Sequence, residues 1–154
     1  MRIGEATTPG PALGPVLGNI NPTGLMGKSN DVAQLPVGVY AVQETHLTGP
    51  GITKFRQELT WRKSQYNLCH GAPAPPKNSS LRTIGGKHTG VGFLSSFPCR
   101  SITNEWSPED FQTGRCLAAA AYVQSRWINL GTVYGYSENR QAVQVQQNTG
   151  RLLE

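Results

Sequence analysis

Glu44 is the residue whose position most needs a chemical explanation. It follows the run Val37-Gly38-Val39-Tyr40-Ala41-Val42, inside the stretch 35–47. That run is short, β-branched and aromatic, and Pro36 bounds it, so it predicts a strand buried on both faces rather than a helix. A carboxylate where such a strand ends is costly unless it is paired, holds a cation, or has already left the core for solvent. In open α/β sheets the carboxyl ends of strands are where ligands sit. His46, two residues on, reads either as a substrate contact beside Glu44 or as a solvated loop histidine. Arg115 reads either as a bidentate phosphate ligand or as a surface residue at the start of a strand.

The remaining reactive types give weaker signals. Lys54, Arg56, Arg62 and Lys63 fit a stripe along a nucleic-acid backbone, and equally the solvated face of a helix. Trp61, Trp106 and Trp127 have the chemistry to stack on bases, with core or edge packing as the default. Cys69, Cys99 and Cys116 are odd in number and far apart, with no zinc-like spacing. They read as packing residues in a reducing, intracellular compartment rather than a disulfide framework. The net charge of +5 favours a polyanionic partner such as nucleic acid. There is no apolar run of membrane length and no basic-then-apolar leader, so neither a membrane span nor a signal peptide is expected.

These residues need a scaffold, and 154 residues bound it to one domain. High glycine and proline with few charges point to short strands and many turns. Residues 1–12 read as a disordered leader. A first strand lies within 13–20 and ends at Asn19, and Asn21-Pro22-Thr23-Gly24 is a turn. A short helix begins near Ser29-Asn30-Asp31, and with the strand leading to Glu44 it makes a parallel unit. Thr48-Gly49-Pro50-Gly51 breaks the chain. Ile52, Phe55 and Leu59 share a face of an amphipathic helix over 52–65. A short strand over 66–69, a Pro/Ser-rich loop over 70–86 and a Gly-bearing strand over 89–95 follow. Residues 104–114 read as turn or loop. The alanine-rich run 117–123 is ambiguous between helix and strand; 126–134 alternates as a strand, paired with it across Gln124-Ser125. Ser137 caps a final helix with Ala142, Val145, Thr149 and Leu152 on one face. The whole predicts an α/β layered domain.

Four segments in order carry a resemblance: Gly18-Asn19-Ile20-Asn21, Val42-Gln43-Glu44-Thr45, Gly90-Val91-Gly92-Phe93-Leu94 and Thr132-Val133-Tyr134-Gly135. Together they resemble the N-terminal half of the endonuclease/exonuclease/phosphatase superfamily, over about residues 13–145. That superfamily includes apurinic/apyrimidinic endonucleases, deoxyribonuclease I-like enzymes, phosphatases of sugar and inositol phosphates, and the endonuclease domains of non-LTR retrotransposons. The resemblance implies a four-layer α-β-β-α sandwich with the site at the strand ends between two sheets. It implies Mg²⁺ as cofactor, Glu44 and Asn19 as metal ligands, and Tyr134 as the contact to the scissile phosphate. Asn21 sits where some members have a further polar ligand, although before Pro22 it also reads as a turn residue.

The resemblance stops at the family's later motifs. Its Gly-Asp-x-Asn segment and its terminal Asp-His pair have no counterpart in this sequence. The expectation is therefore a truncated, Mg²⁺-dependent phosphodiesterase or endonuclease-like domain, C-terminal half missing and inactive alone, with a second polypeptide as a partner that completes it. A non-catalytic basic remnant that binds nucleic acid, and a small-molecule phosphoesterase, are the alternatives. An incomplete second sheet would leave an open edge and an uncovered apolar face, hence poor solubility or self-association.

Overall fold

A computed structural model of the protein describes residues 14–74, 89–102 and 108–135. The expected leader, most of the Pro/Ser-rich loop, His88, Trp106 and the helix beginning at Ser137 lie outside the described residues. Those residues form a mixed α/β structure with two sheets.

The first sheet is built around β2 (Gly38–Gln43). On one side β1 (Val16–Ile20) pairs with it in parallel, Asn19 opposite Ala41. On the other side β4 (Val91–Ser95) pairs antiparallel, and β3 (Asn67–His70) closes the order β1-β2-β4-β3. The connection from β1 to β2 carries the short helix α1 (Ser29–Ala33), as the parallel pairing requires. The second sheet has the order β5-β6-β7, from Cys99–Ser101, Cys116–Val123 and Arg126–Val133.

Strand alternation divides β2 between two cores. Tyr40 and Val42 join Ile20, Leu25, Val32, Phe55, Leu59 and Leu94 in a cluster between the sheet and its helices. Val39 and Ala41 face the other way, with Val91 and Phe93, onto Leu117, Ala119, Ala121 and Val123 of β6. The two sheets are therefore packed face to face. Gly18 is required opposite Tyr40: a Cβ there would lie 2.6 Å from the ring. The hydroxyls of Tyr40 and Tyr66 both donate to the Pro36 carbonyl, which satisfies two buried phenols at once. Burial raises the pKa of each.

Three expectations are corrected. The segment 48–51 does not break the chain; helix α2 runs Gly49–Trp61. Thr48 is its N-cap, accepting from Gly51 N at 3.3 Å, and Pro50 stands in the first turn, where a missing N–H costs nothing. We expect Thr48→Ala to lower stability by about 1 kcal/mol in urea unfolding, the usual cost of a lost cap. Residues Pro108–Gln112 form a short helix, α3, where a turn or loop was expected. Strand β5 was not foreseen; its three residues acquire their conformation by pairing with β6, Cys99 opposite Ala121. The alanine-rich run resolves as a strand because it is the middle strand of its sheet, hairpin-paired with β7 from Cys116↔Val133 to Val123↔Arg126. Gln124 and Ser125 both take positive φ, the signature of a tight hairpin turn.

Candidate functional site

The site is made where strands from both sheets end. β2 stops at Gln43, and two of the next three residues are held in an unusual backbone. Glu44 and His46 have φ of 53° and 54°, a region that side-chain-bearing residues adopt at a cost. The surroundings impose it from both sides. Glu44 O accepts from Gly24 N at 2.7 Å and Thr45 O from Leu25 N at 2.9 Å. Opposite, Thr45 N donates to Gly90 O and His46 N to Thr89 O, each at 3.0 Å. Such over-determined strain concentrates at functional positions.

Two side chains converge on Glu44 at this bend. Asn21 donates from Nδ2 to Glu44 Oε1 at 3.3 Å, while its Oδ1 accepts from Thr23 N, also at 3.3 Å. Asn21 is thus a turn residue and a partner of Glu44 together. The Tyr134 hydroxyl, arriving from the end of β7, donates to the same Oε1. A carboxylate of the first sheet is in this way tied to a phenol of the second. Gln43 Nε2 adds a parallel tie to Thr132 Oγ1 at 3.3 Å, and Gly90 N to Gly114 O at 2.9 Å makes a third.

Tyr134 is in turn set by Arg115. The guanidinium is buried, 1 % exposed, so the expected surface position is corrected. Its Nη1 donates to Tyr134 O at 3.3 Å and to Gly135 O at 2.6 Å, and its Cζ lies 5.2 Å from the Tyr134 ring centre. Tyr134 N donates back to Arg115 O at 2.7 Å. Arg115 therefore fixes the backbone that carries Tyr134.

Asn19 lies one residue before the end of β1, opposite Ala41. Alternation puts it on the face turned to the second sheet, and it is solvent-exposed. The amide hydrogen-bonded to Glu44 is that of Asn21, not Asn19. His46 is half-buried beside Gly24, whose added Cβ would come within 3.7 Å of the His46 Nδ1.

His70 is the contributor that sequence patterns did not reveal. At the end of β3 its Nδ1 donates to Gly71 O at 2.9 Å, leaving Nε2 to accept from the Thr45 hydroxyl at 2.6 Å. Burial holds its pKa down to about 4, so the ring stays neutral and this tautomer is retained. His70 thus pins Thr45 between the two strained residues. The only sequence signal was its place after a short apolar strand, which many core histidines share.

Among the described residues no three of His, Cys, Asp and Glu gather into a metal-binding group. Among them, too, no helix is long and apolar enough to cross a membrane. No family model, no curated protein and no solved structure matches the chain.

Proposed function

We propose that the protein carries part of a Mg²⁺-dependent phosphodiester-hydrolysing site acting on nucleic acid, on a deoxyribonuclease I-like α-β-β-α sandwich. The observation that carries the reading is the meeting of Glu44 and Tyr134 across the two sheets, with Asn21 on the same carboxylate oxygen. The helices, the first sheet and the second sheet supply three of the four layers such a sandwich needs.

The types of donor, though not an assembled pair, suit the cofactor: the amide bonded to Glu44 is that of Asn21, and Asn19 makes no hydrogen bond to it. One carboxylate and one amide oxygen are hard ligands, and Mg²⁺ keeps most of its water and takes few protein groups. Glu44 and Asn19 would hold it. The bound ion supplies charge neutralisation at a phosphate oxygen. The chain's own residues do the remaining work. Asn21 and Tyr134 donate to Glu44 and orient its carboxylate. Arg115 holds Tyr134 at a fixed depth, so its hydroxyl can turn from the carboxylate to a phosphate oxygen as an oxyanion-hole donor. The groups that activate water in the superfamily have no counterpart in this sequence, so in this reading turnover needs groups supplied from outside it.

The test is binding of a labelled abasic-site duplex, followed by fluorescence anisotropy against Mg²⁺ and against KCl. We expect Mg²⁺ to tighten binding to the unmodified chain, and Glu44→Ala to lose that increment while keeping the salt-dependent part. Equal Mg²⁺ response in both proteins would remove Glu44 from the site. A second reading, a basic nucleic-acid-binding module without turnover, draws on Trp61, 80 % exposed at the end of α2 beside Arg62 and Lys63. Binding that falls steeply with salt and ignores Mg²⁺ altogether would favour it.

A further inference from the structure

Cys69 and Cys99 make none of the hydrogen bonds described at the Glu44 site, although Cys69 directly precedes His70. Cys69 is in β3, opposite Phe93, and Cys99 is in β5, opposite Ala121. Phe93 and Ala121 both face the space between the sheets, and both cysteines pack against the same cluster there. β3 ends the strand order of the first sheet and β5 that of the second, and these two strands lie against each other. Each side chain is only partly buried, and the two thiols are near enough that each shifts the ionisation of the other.

We propose that Cys69 and Cys99 are a cross-linking site: on exposure to a small-molecule disulfide such as oxidised glutathione they form an intramolecular disulfide that staples the edge of one sheet to the edge of the other. This inference is independent of the nuclease-like reading.

The order of steps follows from the surroundings. The neighbouring Cys99, helped by the charge of Arg56, holds the Cys69 thiol below its ordinary pKa, whereas Cys69, reinforced by burial, raises Cys99. Cys69 is therefore the attacking thiolate. Its sulfur bonds to one glutathione sulfur, the glutathione disulfide breaks, and one glutathione leaves as a thiolate. With Cys69 capped, no neighbouring thiolate opposes ionisation of Cys99. Cys99 loses its proton, attacks the Cys69 sulfur and expels the second glutathione. Two protein thiols are oxidised, one glutathione disulfide is reduced to two thiols, and the released protons go to those thiols.

The closed loop spans about thirty residues, enough to give a substantial stabilisation on chain-entropy grounds. The test uses the unmodified chain, equilibrated in an oxidised glutathione buffer or a reduced one, alkylated under denaturing conditions and mapped by peptide mass spectrometry. We expect a linked Cys69–Cys99 peptide pair, Cys116 still alkylated, and a Tm about 10 °C above that of the reduced protein. Any of three results would overturn the proposal: a persistent glutathione adduct on Cys69 with Cys99 still alkylated, a link involving Cys116 or a second molecule, or no oxidation at all. Because the unmodified sequence is used, no outcome depends on whether a variant folds.

Discussion

Gly90→Ala should lower the unfolding free energy by about 3 kcal/mol, seen as a shift of the urea midpoint with an unchanged slope. Two independent costs add. Gly90 has φ of +101°, beyond the left-handed region that side-chain-bearing residues visit. A Cβ there would also lie 2.2 Å from Thr45 Oγ1 and 3.2 Å from His46 N. None of these atoms is at liberty to retreat. Thr45 Oγ1 is hydrogen-bonded to His70, Gly90 O accepts from Thr45 N, and Gly90 N donates to Gly114 O in the turn that leads into β6. Gly27→Ala separates the two costs. Gly27 has φ of +78° and nothing within 4 Å of the added carbon, so only backbone strain, about 1 kcal/mol, is expected. Equal losses in the two variants would mean that the bend at 44–46 yields readily, and that its strain is not imposed from outside.

The second large effect is a loss of stability in acid that traces to one histidine. In the unfolded chain His70 takes up a proton below about pH 6.5; in the folded protein burial delays this to about pH 4. Between these values the unfolded state binds more protons, so stability falls as pH falls. The contribution is fully present above pH 6.5. About 3 kcal/mol of it has gone once pH drops through the folded value. His70→Gln keeps a donor toward Gly71 O and an acceptor for the Thr45 hydroxyl but does not titrate. The difference in unfolding free energy between the two proteins should shrink in favour of the variant from pH 6.5 to 4. A difference independent of pH over that interval would show that His70 is open to solvent.

The parts of the fold readable from sequence are those whose signals are local. The run at 37–42 announced β2, the Gln124-Ser125 turn between two apolar runs announced the hairpin, and Ser29 onward announced α1. The start of α2 was misplaced because Pro50 is a breaker in most contexts and a helix starter only behind a cap such as Thr48. β5 went unseen because three residues have no periodicity of their own. In the site, Glu44 was legible from its place after a buried strand. The pairs Asn21–Glu44, Tyr134–Glu44 and Thr45–His70 join residues 23, 90 and 25 positions apart, and such meetings are set by how the sheets pack, which no local pattern encodes. Arg115 illustrates the same limit. Its sequence neighbourhood fits a surface residue, and the return of the chain at Tyr134, which no local pattern announces, packs against it.

Because β2 lends alternate side chains to both cores, it works as a party wall between two rooms. Neither room can be emptied without stripping plaster from the other: losing the second sheet would bare Val39 and Ala41, and losing the helices would bare Tyr40 and Val42. Melting should then proceed in one step across the whole described body, and a fragment cut to keep either room alone would lack a dry interior to hold it up.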